Sequence, residues 1–210
     1  MKKLSLLLLF YCFSIILCAQ VFKTEEKSIT GTFDIKEKNK SELYSSINKW
    51  ISINYNSAIN VIQMNELESG IIIVKGINEV EYKNTAKQIY PNSKKMPETA
   101  TVRFNHLIEF NIKDNKFRII YKITGVNSEG YDNLFFNCIN LDTIDNNAIQ
   151  TYNGAIEELL KKGVMGKEKR EAFLALSRPM FQEINTRLSD NIKLTMLSIE
   201  KSVSESNDNW

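Results

Sequence analysis

"VRFNHLIEFNIKDNKFRIIYKITGV", Val102 to Val126, settles more about this chain than any other stretch. Val102, Phe104, His106, Ile108, Phe110 and Ile112 recur at every second position, so a strand places all six on one face. Asp114–Asn115 is a two-residue turn able to take positive φ. Phe117, Ile119, Tyr121 and Ile123 answer with the same period. Two amphipathic strands joined this tightly define a β-hairpin and its register.

Upstream, "SITGTFDIK" (Ser28–Lys36) alternates Ile29, Phe33 and Ile35 with polar residues and reads as a first strand. Asn39, with Glu42 three positions later, makes a capping-box pattern for a helix reaching about Ile53. Leu43, Ile47, Trp50 and Ile51 form one face of that helix, suited to lie on a sheet. Asn54 to Ser57 end it, and "AINVIQM", rich in β-branched residues, is expected to return as a strand. "ELESG" turns the chain into "IIIVKGI" (Ile71–Ile77), apolar on both faces and so expected in the middle of a sheet or under a partner. Asn78 to Ala100 shows no clean period and holds Pro91 and Pro97; it reads as a strand end followed by a long mobile loop, 83–100.

Downstream of Gly125 the character changes. Residues 127–146, rich in Asn, Asp and Gly, read as an irregular linker. Ile149, Tyr152, Ile156, Leu159 and Leu160 mark a helix ending at Lys161, Lys162 and Gly163, where lysines suit the negative end of the helix dipole. Phe173, Leu176, Phe181, Ile184, Leu188, Ile192, Leu197, Ile199 and Val203 mark a final long helix, with a break expected near Pro179. The two helices span 147–204, and 205–210 form a polar tail.

Strand, helix, four antiparallel strands and helix is an α+β layout. Its carrying stretches are "ELYSSINKWI" with Trp50, "SAINVIQ", the glycine-bounded "GIIIVKG", and the hairpin "IEFNIKDNKFRIIYKITGV". In these the chain resembles domain-of-unknown-function family four-four-six-eight, exported proteins of Bacteroidetes-type bacteria described as having a TBP-like fold. The resemblance implies a TBP-like antiparallel sheet (β-α-β-β-β-β) over about 26–126, with helices packed on it and a C-terminal helical extension. Asn115 stands where glycine is commoner in the family, and the Lys83–Ala100 insertion is long. The resemblance supplies no activity, and DNA binding does not follow from the fold's label.

The N-terminus reads as an address. Lys2 and Lys3 precede an apolar run from Leu6 to Leu17, interrupted by Ser14, and then small residues: the layout of a secretory signal, 1–19. Cleavage is expected after Ala19, giving an exported, periplasmic or cell-envelope protein. The rival is lipidation at Cys18, which would anchor the protein to a membrane; Leu17 is a poor neighbour for it. Removing the signal takes Lys2 and Lys3 from 27 basic residues and leaves 25 against 25 acidic ones. A neutral chain lacks the basic footprint of a nucleic-acid binder, so no nucleic-acid partner is expected. Cys138 is then the lone cysteine of the mature chain, and between apolar neighbours it reads as a small buried hydrophobe.

Chemistry is sparse. His106 is the only histidine, which excludes His-paired zinc sites, and it sits on the apolar face of its strand as a packed or rim residue. "GVMGK" (Gly163–Lys167) is too short between glycines for a phosphate loop, and Asp142 and Asp145 lack the ligand spacing of a calcium loop. "KKGVMGKEKR" reads as a solvated helix junction, and Tyr82 and Tyr90 as a candidate rim on the long loop. No catalytic residue, metal ligand or cofactor is assigned, and His106→Ala and Cys138→Ser are expected to leave the biological role intact. The leading expectation is a noncatalytic module binding an envelope protein or envelope component. The alternative is a small-ligand pocket between sheet and C-terminal helices, with a carboxylate enzyme last. Leu43, Ile47, Trp50, Ile73, Phe104, Ile108, Phe110, Ile119 and Tyr121 are expected to share one core. The second face of "IIIVKGI" is expected to be covered by the C-terminal helices, making a helix-sandwiched sheet, or else by a second copy or a partner.

Overall fold

The hairpin read from sequence forms the centre of a six-stranded antiparallel sheet in the computed structural model, which describes residues 22–130, 133–163 and 165–205. Strands are β1 (Lys23–Glu25), β2 (Ser28–Asp34), β3 (Ile62–Glu66), β4 (Ile71–Lys83), β5 (Thr99–Lys113) and β6 (Lys116–Val126). Their spatial order is β1-β2-β6-β5-β4-β3. Helices are α1 (Lys40–Asn54), α2 (Ala58–Val61), α3 (Thr85–Ile89), α4 (Asn133–Asn137), α5 (Asn146–Lys162) and α6 (Lys167–Glu205). The architecture is α+β, as expected. The expected signal 1–19, with Ala19 and Cys18, and the last residues of the tail lie outside the described residues. Among the described residues no helix is long and apolar enough to cross a membrane.

At the β5–β6 turn, Lys113 pairs with Lys116 and Asn115 takes φ 62°, a left-handed conformation that asparagine tolerates better than most residues. The turn is also docked: Asn115 N–H donates to Lys38 O at 2.8 Å, and Ile35 N–H donates to Asn115 O at 2.8 Å. Next to it α1 begins with the capping box that the sequence announces. Asn39 Oδ1 accepts from Glu42 N–H at 3.0 Å, and the Glu42 carboxylate accepts from Asn39 N–H at 2.7 Å.

Alternate residues of β2, β4, β5 and β6 point to one face and form the core with α1 and α6. α1 lies on β5 and β6; α6 lies on β4 and β2 and packs against α1. Phe181, Ile184, Leu188, Ile192, Met196, Ile199 and Val203, three or four residues apart, are fully buried along one stripe of α6. That helix is continuous through Pro179, so the expected break is absent. Its 39 residues span about 58 Å at the usual α-helical rise.

Five further expectations are corrected. The C-terminal helix joins α1 on the same sheet face, so the sheet is not sandwiched. Ile73 points to the other face and is only half-buried; Ile72 and Val74 enter the core instead. A strand apolar on both faces carries no phase of its own, and its register with β5 decides which set goes inward. Ala58–Val61 is a helical turn, and the strand begins only at Ile62. The stretch expected as a loop after a strand end is partly helical: β4 ends at Lys83 as expected, but Asn84 then caps α3 by accepting from Ala86 and Lys87 N–H, and beyond α3 only 90–98 carry no helix or strand. A one-turn helix, α4, interrupts the segment expected to be irregular.

β3 pairs with β4 only as far as Val74. Beyond it, α6 side chains reach the unpaired backbone of β4: Asn191 Nδ2 donates to Glu79 O at 3.3 Å, and Lys83 N–H donates to the Glu183 carboxylate at 3.3 Å. This shields a strand edge that would otherwise offer itself to another chain.

Candidate functional site

Where β4 loses its neighbour, five polar side chains from distant parts of the sequence meet. His106 comes from β5, Asn78 from β4, Tyr121 from β6, Tyr55 from the end of α1 and Asn191 from α6. His106 lies opposite Gly76 in the β4–β5 register. A Cβ at position 76 would come within 2.7 Å of His106 Nε2 and 3.0 Å of Tyr55 Cε1, so glycine is what lets the imidazole lie across β4. On its other side His106 faces Ile123, next to a register shift in the β5–β6 pairing. Such shifts re-aim side chains.

His106 is 5% exposed, and its ring lies 4.6 Å from that of Tyr121. Its Nε2 is 3.3 Å from the Tyr55 hydroxyl, while its Nδ1 is buried without a partner. The Tyr121 hydroxyl accepts from Asn78 Nδ2 at 3.2 Å, and Asn191 Nδ2 donates to Asn78 Oδ1 at 3.4 Å. Burial drives all three titratable groups toward their neutral forms: His106 falls to about 4, Tyr55 rises to about 12, and Tyr121 is raised further. The cluster is uncharged at neutral pH. It borders a cavity of about 410 Å3 walled by Trp50, Ile77, Leu194 and Thr195. A second cavity, of about 540 Å3, lies between the end of β4 and α6 beside Leu176, Pro179 and Met180.

The depressed His106 value has a pH signature. The unfolded histidine titrates near 6.5 and the folded one near 4, so between these values the unfolded state binds the extra proton. The stability contributed by neutral His106 is therefore present above pH 6.5 and lost progressively as pH falls toward 4. From pH 7 to pH 5 this loss is about 2 kcal/mol. Urea unfolding at the two pH values should show it in the natural protein and not in His106→Phe. Equal pH dependence in both would refute the buried neutral histidine.

Other residues singled out in the sequence have structural posts. Cys138 is fully buried, with its thiol donating to Leu134 O at 3.4 Å. Asp145 caps α5, accepting from Asn147 and Ala148 N–H at 2.9 and 3.0 Å, while Asp142 stays exposed. Among the described residues no group of three or more His, Cys, Asp or Glu side chains is placed to hold a metal ion. The Gly163–Lys167 segment links α5 to α6, and Arg170 Nη1 donates to Met165 O at 2.7 Å. Tyr82 is buried and Tyr90 lies under Lys169 Nζ at 4.1 Å, so they do not form an open rim.

The opposite face of the sheet carries no helix among the described residues. Ile71, Ile73, Leu107 and Ile120 are half-buried there, and Ile77 is 51% exposed. Ile73 and Ile120 flank Glu109 across three strands, and Glu109 accepts from Asn111 Nδ2 at 2.7 Å. Lys75, Arg118 and Lys122 are exposed around them. None of these three enters an ion pair among the described residues.

A single antiparallel sheet with its helices on one face and a C-terminal helix spanning it is the TBP-like α+β class. Residues 30–126 match the model of the family described as "Domain of unknown function (DUF4468) with TBP-like fold", and the domain they form belongs to that family. Two crystal structures are similar to the chain. One is a TBP-like protein from Parabacteroides distasonis, at 12% identity and TM-score 0.50, covering 86% of this chain and 94% of its own. The other is a DUF4468 family protein from Bacteroides ovatus, at 14% identity and TM-score 0.50, covering 88% and 90%. At such identities the likeness concerns fold alone. It extends past residue 126, since both cover far more of the chain than the 30–126 segment. No curated protein matches the chain.

Proposed function

We propose that the protein is an exported, noncatalytic binding module of the cell envelope that holds a protein partner on the open face of its sheet. The observation that carries this reading is the pattern on that face. Half-exposed apolar residues from β4, β5 and β6 lie side by side, framed by Lys75, Arg118 and Lys122, while the one central carboxylate is engaged by Asn111. The partner presents an apolar strip flanked by carboxylates, which the three exposed cations complement. Neither nucleic acid nor metal enters the reading. The neutral, closely packed His106 cluster supports a binding rather than a catalytic role, because a general base works best with its pKa near the operating pH.

The test is affinity capture from envelope extract with the mature protein and with the Ile73→Asp/Ile120→Asp variant. A captured protein that is lost with the variant, and weakened by raised salt, supports the reading. Capture unaffected by the variant overturns it. A dimer of the isolated protein that the variant dissolves assigns the face to a second copy instead. The intact mass of native protein decides the address: cleavage after Ala19 fits a free exported module, whereas a diacylglyceryl group on Cys18 replaces it with a membrane-anchored one.

A further inference from the structure

We propose that the cavity beside His106 is a binding site for a small uncharged molecule with a flat apolar body and a hydrogen-bond acceptor at its edge. The site lies chiefly on the inner sheet face, between the end of α1 and α6, and meets the open face only at its rim, where Ile77 and Glu79 of β4 stand.

The charge of the ligand follows from the lining. Among the described residues lining the cavity, Glu79 is the only one with a charged side chain, and Arg103 already holds its carboxylate at 2.7 Å. No lysine or arginine lines it, so a phosphate or carboxylate would enter without a counter-charge, which is costly. A ligand cation would find that one carboxylate engaged. A neutral molecule meets neither obstacle.

The shape follows from the walls. Trp50 and Tyr121 form the apolar back, and Leu194 stands at the mouth 64% exposed, with the edge of β4 at Ile77 beside it. Apolar side chains left open at the rim of a cavity gain by covering a flat apolar body. A volume of about 410 Å3 falls within the ordinary range for small-molecule pockets.

The polar edge follows from His106. Its Nδ1 is buried without a partner. A bare acceptor nitrogen is cheaper to bury unpaired than an N–H, so the proton sits on Nε2 and is donated to the Tyr55 oxygen 3.3 Å away. The Tyr55 hydroxyl then accepts from the imidazole and keeps its own proton to donate, and Tyr55 lines the cavity. Asn54, whose Nδ2 donates to Trp50 O at 2.9 Å, keeps its side-chain oxygen for a ligand N–H. A primary amide on an aromatic ring satisfies both groups.

His106 is the only histidine among the 210 residues, so its imidazole resonances report on this cavity alone. Benzamide and its charged isostere benzoate are titrated into the mature protein while those resonances are followed. Benzamide should shift them saturably, and benzoate should bind at least tenfold more weakly. Tyr55→Phe, folded by circular dichroism, should weaken benzamide about tenfold, the equivalent of one hydrogen bond. Histidine resonances that benzamide does not move, equal binding of benzoate, or an unchanged benzamide affinity in Tyr55→Phe would each overturn the proposal.

Discussion

A fragment ending after Val126 should aggregate, bind hydrophobic dyes and lack a defined near-ultraviolet circular dichroism spectrum, while the chain that keeps α6 should stay in solution. The cut removes α6, and with it seven fully buried side chains from Phe181 to Val203 that cover the inner face of β2 and β4. Each large apolar side chain contributes roughly 1.5–3 kcal/mol on burial. Their sum, on the order of 10 kcal/mol, is comparable to the whole stability of an ordinary domain. The cut also removes Asn191 and Glu183, leaving the backbone of β4 bare beyond Val74. A fragment that stayed soluble, monomeric and folded would show that the helices are not part of the core, and the placement of α6 would fail with it.

Trp50→Ala should cost about 3–5 kcal/mol. Trp50 is 5% exposed and sits on α1 where that helix meets α6. Its ring meets Tyr55 edge to face at 6.2 Å, and its Nε1 donates to Ser198 Oγ at 3.4 Å. The substitution opens a cavity and unties both contacts together. In a chain of this size that corresponds to a fall in melting temperature on the order of 10 °C. An unchanged melting temperature would place the indole in water and contradict the packing of α1 on α6.

The legible parts of the fold were those whose signals are local. The hairpin announced itself through period-two alternation and a two-residue turn, and α1 through Asn39, Glu42 and its apolar face. Errors fell where a segment's identity depends on what lies across from it. Ile73 and Ile72 are chemically equal, and only pairing with Glu109 and Phe110 separates outward from inward. Ala58–Val61 has a strand's composition, yet it turns helically before the chain enters β3. The short β1 carries no signal of its own in the sequence: three residues hold no period, and they are strand only because β2 pairs with them. The cluster around His106 was hidden for the same reason, its members being spread from Tyr55 to Asn191. One clue lay in plain sight. A lone glycine inside an apolar strand signals a close approach, and Gly76 stands directly across from the imidazole.

The pairing of the first long strand with the last also governs when this protein can form during synthesis. Beyond the three-residue β1, β2 finds its partner in β6, with Ser28 opposite Lys122, and the shared face closes only when α6 reaches Lys38, whose ammonium donates to Val203 O. During synthesis the uncovered strands stay open to their surroundings until the stripe from Phe181 to Val203 has emerged. Contacts so distant in sequence make the search slow. Premature collapse around the uncovered strands, rather than instability of the finished fold, is then the hazard in forming this core.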